Sequence, residues 1–174
     1  MQKSISKTTI RRKTSNLTMT ALFAALICIT TAYIFHIPFG TNGGYVHIGD
    51  TLIYLGAALL PTPYAMAAGA LGGLLADLFT APVWAPATFI IKLLIALPFT
   101  SKKTNIVNVR NVVALFVAAF ISIVGYYIAE VIIFGNAAVA IASIVSSSIQ
   151  AICSGVLFIA FGLALDKVRI KNKF

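Results

Sequence analysis

Residues 112–134 read VVALFVAAFISIVGYYIAEVIIF, an apolar run in which Glu130 is the single charged residue. A helix over this run is about 35 Å long, enough to cross the hydrocarbon core of a bilayer. Two other runs are of similar length, at residues 17–37 and 137–165. Runs of this length and composition are typical of transmembrane helices. The sequence therefore predicts a membrane protein.

The composition of the whole chain agrees with this prediction. Of its 174 residues, 60% are hydrophobic and 10% are charged, and the mean hydropathy is +0.99. Soluble domains average about 45–50% apolar and about 25% charged residues. These values exclude a soluble globular domain and a disordered chain. The length corresponds to one domain with at most about six or seven membrane spans.

Three shorter apolar runs lie between the long ones, at residues 48–60, 65–79 and 84–99. Proline and glycine residues separate them, and such residues favour turns and loops. We therefore expect an all-α membrane protein with six transmembrane helices. A helix over residues 48–60 is only about 20 Å long, so it does not cross the bilayer core alone.

The formal net charge of +9 is distributed unevenly along the chain. With six spans, 12 of the 13 Lys and Arg residues fall on one side of the membrane, and the exception, Lys92, lies inside an apolar run. The positive-inside rule places that side, and both termini, in the cytoplasm. We expect three parts: a basic cytoplasmic segment (1–16), a six-helix membrane domain (17–165) and a basic cytoplasmic tail (166–174). Residues 17–37 are too long for the apolar region of a signal peptide.

Several function classes find no support in the sequence. The motifs GxxxxGK(S/T), HExxH, CxxC and GxSxG are all absent, so we expect no enzyme activity and no ATP hydrolysis by this chain. Cys28 and Cys153 lie in apolar runs and read as small buried hydrophobic residues, and we expect no metal and no cofactor. No basic face with interleaved aromatic residues is present, which excludes a nucleic-acid partner.

Polar side chains at membrane depth are costly, and we treat them as candidates for function. They fall near the predicted outer ends of the helices, where aromatic faces beside a few polar groups favour a pocket for a ring-shaped solute. The candidates for substrate binding are Asn42, Tyr45, His47, Asp50, Trp84, Thr88, Lys92, Tyr126, Glu130 and Asn136.

Structural interpretations of these residues remain open. An aspartate at position 50 is typical of a helix N-cap. Lys92 needs a partner for its charge, and Asp77 is one candidate, which would give a structural ion pair. Trp84 and Tyr45 have the character of anchors at the membrane interface.

Small residues four positions apart indicate close helix packing in a membrane. The third predicted helix has two such rows, which favour packing inside the protein: Ala65, Gly69 and Gly73, and Ala68, Gly72 and Ala76. On the first helix, Ala21 and Ala25 share one face. For this pair we favour docking of a partner.

Five segments occur in a recognisable order: Met19–Ala25, Tyr45–Asp50, Gly69–Asp77, Ala85–Lys92 and Gly125–Glu130. Together they resemble the substrate-binding (S) components of energy-coupling factor (ECF) vitamin transporters, over about residues 17–165. Within that family they look like the branch that includes riboflavin-type and hydroxymethylpyrimidine/pyridoxine-type S components.

The resemblance implies a six-helix binding subunit of the cell membrane. It captures a vitamin or vitamin precursor from outside and associates with a transmembrane coupling subunit and two cytoplasmic ATPase subunits. The resemblance also implies that Ala21 and Ala25 meet the coupling subunit and that residues 38–48 form a lid. The matching binding positions are Tyr45, His47, Lys92, Tyr126 and Glu130.

The identity of the substrate stays open at this point. The polar and aromatic residues suit a small polar heteroaromatic ring, and our first expectation is hydroxymethylpyrimidine or pyridoxine. Riboflavin or another B vitamin is the alternative. A phosphorylated substrate is disfavoured, because no large basic cluster faces outside. A stand-alone secondary transporter is the alternative class, although the two halves of the sequence lack the inverted repeat that is usual in such proteins.

Overall fold

The computed structural model describes residues 2–34, 37–38, 45–137 and 140–173, without the side chains of residues 2–9, 45–46, 142, 172 and 173. Within these ranges, β1 (Ile37–Pro38) and β2 (Tyr45–Val46) form a short antiparallel pair in which Ile37 is opposite Val46. The other regular elements of the described residues are helices. Six are α-helices, namely α1 (Gln2–Ala32), α2 (Gly49–Leu59), α3 (Thr62–Thr80), α4 (Ala85–Ala96), α5 (Val109–Phe134) and α6 (Ile141–Lys167), and Pro82–Trp84 and Ile170–Lys173 are short 3-10 helices.

The prediction of six helices is confirmed. The helices differ in whether they are long and apolar enough to cross a membrane. Three segments are long and apolar enough to do so, Ile10–Ala32, Val109–Phe134 and Ser143–Lys167. Gly49–Leu59 and Pro82–Ala96 are shorter apolar helices. The short helices need the long ones around them, because they do not span the hydrocarbon core by themselves.

The ends of two helices differ from the sequence prediction. Helix α1 ends at Ala32, whereas the apolar run continues to residue 37. Proline restricts the residue before it to extended conformations, and Ile37 accordingly lies in β1 directly before Pro38. Helix α6 begins at Ile141 and not at residue 137. An apolar run therefore marks a membrane segment more reliably than it marks the end of a helix.

The helices pack in a series α1–α3–α4–α5–α6, and α2 contacts both ends of the series. Helix α3 lies between α1 and α4, α4 packs against α5, and α5 packs against α6. Helix α2 contacts α1, α3, α4 and α6, and nine of its 11 residues are buried. Near its middle, Tyr54 stacks on Phe99 with ring centroids 5.0 Å apart, and Phe158 packs edge-on against Phe99 at 5.7 Å.

The small residues of α3 bring its backbone close to both neighbours. A Cβ atom at Gly72 would lie 2.8 Å from the carbonyl oxygen of Ala24 in α1. A Cβ atom at Gly69 would lie 3.0 Å from the carbonyl oxygen of Lys92 in α4. These rows thus serve packing inside the protein. By contrast, Ala21 and Ala25 are exposed on the outer surface of α1.

Three polar side chains bond to the backbone of the loop between α4 and α5. They are Asn111, Asp166 and Lys171, and we call them the terminal clamp. The amide of Asn111 accepts from the backbone N–H of Thr100 at 2.8 Å and donates to the carbonyls of Thr100 and Ile106 at 3.1 and 2.9 Å. Asp166 accepts from two backbone N–H groups of the loop at 2.7 and 3.0 Å. Lys171 donates to two loop carbonyls, and burial lowers the pKa of its ammonium.

Candidate functional site

Three buried polar side chains from three helices meet inside the bundle. The Nζ atom of Lys92 in α4 lies 2.6 Å from Oδ1 of Asp50 in α2. The side-chain amide of Gln150 in α6 donates to Oδ2 of the same carboxylate at 2.7 Å. Lys92 and Asp50 are each 1% exposed and Gln150 is 5% exposed. Because an isolated buried charge is costly, the ammonium and the carboxylate each stabilise the other in its charged form.

This arrangement corrects two interpretations of the sequence. The ion-pair partner of Lys92 is Asp50, not Asp77, which is buried on α3. The N-cap of α2 is Ile48, without a capping hydrogen bond from a side chain, so the N-cap interpretation of Asp50 is wrong. A buried ammonium requires a carboxylate in contact, and this requirement outweighs the roughly 1 kcal/mol that a helix cap contributes.

One face of α4 carries the next part of the site. Trp84, directly before α4, is spaced four residues from Thr88, which is spaced four from Lys92, and all three are buried, as expected for side chains on one helix face. The Thr88 hydroxyl lies 3.1 Å from the hydroxyl of Tyr126 in α5. The Nζ atom of Lys92 lies 5.2 Å from the centroid of the Tyr126 ring, within range for a cation–π interaction.

Aromatic rings surround the adjoining face of α5. The Trp84 ring packs edge-on against Tyr126 with centroids 6.1 Å apart, and it is tilted by 52° against the Phe134 ring with centroids 5.7 Å apart. Glu130 lies between Tyr126 and Phe134 on the same helix face, so Trp84 lies alongside it. Glu130 is 4% exposed. The site therefore combines a carboxyl group, hydroxyl groups and an ammonium with three aromatic rings.

His47 connects the short strand pair to this region. Its imidazole is 5% exposed, and Nδ1 accepts from the backbone N–H of Gly49 at 3.0 Å. The hydroxyl of Thr31 lies 3.4 Å from the same nitrogen. An Nδ1 atom that accepts a hydrogen bond places the proton of the neutral ring on Nε2. His47 is thus held three residues before Asp50.

Three predicted site residues are not placed in this cluster. Asn42 lies outside the described residues. The backbone of Tyr45 pairs with Pro38 in the strand pair, and its side chain is outside the description. Asn136 is exposed in the turn after α5, just beyond Gly135, whose φ of 68° is left-handed.

Gln150 belongs to the cluster but was absent from the predicted set of binding residues. The available signal was a long amide side chain within an apolar helix, which is uncommon at membrane depth. Serine residues surround Gln150 in the sequence and weaken that signal, because serine is common in membrane helices.

A separate apolar groove of about 400 Å³ lies between α4 and α5. Its lining includes Ile90, Ile91, Gly125 and Ile128, and polar atoms contribute almost nothing to its surface. Such a surface suits hydrocarbon and cannot orient a polar solute.

The described residues form no metal-binding cluster, and the two cysteines differ in burial. In the described part of the chain, no group of three His, Cys, Asp or Glu residues could hold a metal ion. Cys28 is buried, whereas Cys153 is exposed on α6, so the expectation of two buried cysteines is wrong for Cys153.

Comparisons with known proteins agree with one another. The family model for the S component of ECF-type riboflavin transporters matches residues 11–167. A solved structure described as the S component of a bacterial ECF transporter shares the fold, with a TM-score of 0.72 and 19% identity over 90% of this chain and 98% of that chain. No curated protein sequence matches significantly. Because the family model covers nearly the whole chain, this protein belongs to the S components of ECF-type riboflavin transporters, which are vitamin-binding membrane subunits.

Proposed function

We propose that the chain binds a small polar heteroaromatic vitamin or vitamin precursor with high affinity at the outer side of the cell membrane. Hydroxymethylpyrimidine and pyridoxine are the first candidates. One observation carries the proposal: Lys92, Thr88 and Tyr126 bring an ammonium and two hydroxyl groups together beside the ring of Trp84. Sites of this kind use aromatic faces for contact area and a few polar groups for orientation.

The charge of the site supports an uncharged ligand. Asp50 already neutralises Lys92, so the site has no unbalanced cation to attract a phosphate group. The two hydroxyl groups of Thr88 and Tyr126 both donate and accept hydrogen bonds. A ring that carries nitrogen atoms and hydroxymethyl groups matches donors and acceptors of this kind.

Riboflavin is the second candidate, and the family match favours it. Its three fused rings need a longer flat site than a single pyrimidine or pyridine ring. Trp84 contacts both Tyr126 and Phe134, and the three rings together offer a longer aromatic surface. Size is therefore the property that distinguishes the two candidates.

Titration calorimetry of the purified chain in detergent, without ATP, tests the proposal. The ligands are hydroxymethylpyrimidine, pyridoxine, thiamine and riboflavin, with biotin as a ligand that lacks a six-membered heteroaromatic ring. We expect a Kd below about 1 μM for hydroxymethylpyrimidine or pyridoxine. Tight binding of riboflavin alone would select the second candidate. Absence of binding for every compound would contradict the proposed binding function.

We further propose that the chain works with a transmembrane coupling subunit and two cytoplasmic ATPase subunits. Both termini, including the segments 1–16 and 166–174, lie in the cytoplasm. The exposed Ala21 and Ala25 support a docking surface on α1, because small residues four apart allow another helix to approach closely. A stand-alone secondary transporter would need none of these partners.

Substitution of Ala21 by Trp tests the docking surface. We expect Ala21→Trp to retain vitamin binding and to lose co-purification with the coupling subunit. Ile132→Trp is the matched control, because Ile132 is 76% exposed on α5. Equal assembly of both variants would contradict the docking role. Vitamin uptake by vesicles that contain this chain alone would favour a secondary transporter.

A further inference from the structure

The two members of the buried ion pair differ in how their hydrogen-bonding capacity is used. Both carboxylate oxygens of Asp50 have a buried partner, Oδ1 from Lys92 and Oδ2 from Gln150. The ammonium of Lys92 has three donors. It donates to Asp50 at 2.6 Å and also lies within hydrogen-bonding reach of the Tyr126 hydroxyl. One N–H donor of a side chain that is 1% exposed is therefore left for a further acceptor.

The side chains around Lys92 belong to the rest of the site. Asp50 lies on one side of the ammonium, and the Tyr126 ring lies 5.2 Å from Nζ. Thr88, which is bonded to Tyr126, is one helical turn away on the same face of α4. Buried donors normally have acceptors, and Asp50 and Tyr126 account for two of the three donors of Lys92. A ligand among these side chains would supply an acceptor for the third.

Asp50 and Gln150 hold the ammonium in this position from the opposite side. The Gln150 amide fixes one carboxylate oxygen and thereby the orientation of the other, which receives Lys92. The three residues come from α2, α4 and α6, so the position of Lys92 depends on helices that do not carry it.

We propose that Lys92 donates hydrogen bonds to acceptor atoms of the substrate, and that Asp50 and Gln150 are positioning residues that do not contact it. The proposal rests on the binding function proposed above. It specifies the ligand as an uncharged ring with a ring nitrogen, carbonyl or hydroxyl acceptor, because Asp50 already balances the charge of Lys92. A purely structural ion pair, in which the identity of each partner is immaterial, is the competing account.

A charge swap separates the two accounts. Asp50→Lys and Lys92→Asp, combined in one chain, restore an ion pair but place the ammonium on α2. We expect the double variant to recover most of the thermal stability that each single variant loses, and to bind at least about 100-fold more weakly than the unaltered chain. Hydroxymethylpyrimidine and pyridoxine are the probes, measured by calorimetry. Binding by the swapped chain as tight as that of the unaltered chain would overturn the proposal.

Gln150→Met provides a second test in a variant that keeps the ion pair and most of the side-chain volume. The probes are hydroxymethylpyrimidine and its pyridine analogues, in which one ring nitrogen is replaced by C–H. We expect the unaltered chain to prefer the parent compound over one analogue by about tenfold, and the variant to lose most of that preference. An unchanged preference would show that Gln150 is only structural. Failure of the unaltered chain to bind any vitamin would instead contradict the proposed function itself.

Discussion

The terminal clamp and the candidate site both bury polar side chains in an apolar protein, but the partners of those side chains differ. In the clamp, Asn111 and Asp166 bond to backbone groups of the loop between α4 and α5. In the site, Lys92 bonds to the side chain of Asp50, and Thr88 bonds to that of Tyr126.

This difference indicates how stability and binding are divided in the molecule. Buried backbone groups must be satisfied for the protein to fold, and Asn111 satisfies those of the buried residues Thr100 and Ile106. The polar groups of the site satisfy each other only in part, since Lys92 retains one donor. We therefore expect changes in the clamp to affect stability alone, and changes in the site to affect binding more than stability.

The largest effect is expected for Asn111→Leu. Asn111 is completely buried, and its loss leaves one backbone N–H and two carbonyl groups without their partner. We expect a loss of about 3 kcal/mol or more in stability, measured by thermal unfolding in detergent. Vitamin affinity of the folded fraction should stay within about twofold. Lys103→Met, at an exposed position of the same loop, is the control and should change stability by less than about 0.5 kcal/mol. A change in the vitamin affinity of Asn111→Leu without a loss of stability would contradict the view that the clamp affects stability alone.

An intermediate effect is expected for Thr88→Val, which removes the hydroxyl bonded to Tyr126 and keeps the side-chain shape. Affinity should fall about tenfold, equivalent to about 1.4 kcal/mol, while stability falls by less than about 1 kcal/mol. Thr20→Val is the control, since the Thr20 hydroxyl bonds to the backbone of its own helix at 2.8 Å. Equal affinities of the two variants would argue against Thr88 in the site.

The smallest effect is expected for Asp166→Asn. The amide oxygen still accepts from one of the two loop N–H groups, and the other group loses its partner. Because Asp166 is only half-buried, water compensates in part, and we expect a loss of about 1 kcal/mol in stability. Affinity measured by calorimetry should be unchanged. A loss of binding as large as that of Thr88→Val would contradict the separation of the two regions.

Much of the fold follows from the sequence, because apolar runs and their breaks depend on local composition. The run at residues 112–134 predicted α5 to within three residues, at Val109–Phe134. The run at residues 17–37 predicted α1 less well, since α1 begins at Gln2 and ends at Ala32. Apolar residues occur in extended segments such as β1 as well as in helices, so an apolar run does not show where a helix ends.

The candidate site was predictable only within single helices. The spacing of four correctly placed Trp84, Thr88 and Lys92 on one face of α4. The helix that packs against this face depends on the order of the helices in the bundle. Helical periodicity in the sequence carries no information about that order. The sequence therefore suggested Asp77 for Lys92, whereas the structure pairs it with Asp50, 42 residues away, and adds Gln150 from α6.

Trp84 offers the most direct test of the central claim that vitamin binds among Lys92, Thr88 and Tyr126. It is the single tryptophan of the chain, it is 6% exposed, and its ring contacts Tyr126. Its fluorescence is therefore a local probe of the site. We predict a saturable change in its emission on titration with the bound vitamin, with the Kd found by calorimetry. Calorimetric binding that leaves the emission unchanged would place the vitamin elsewhere and contradict the account.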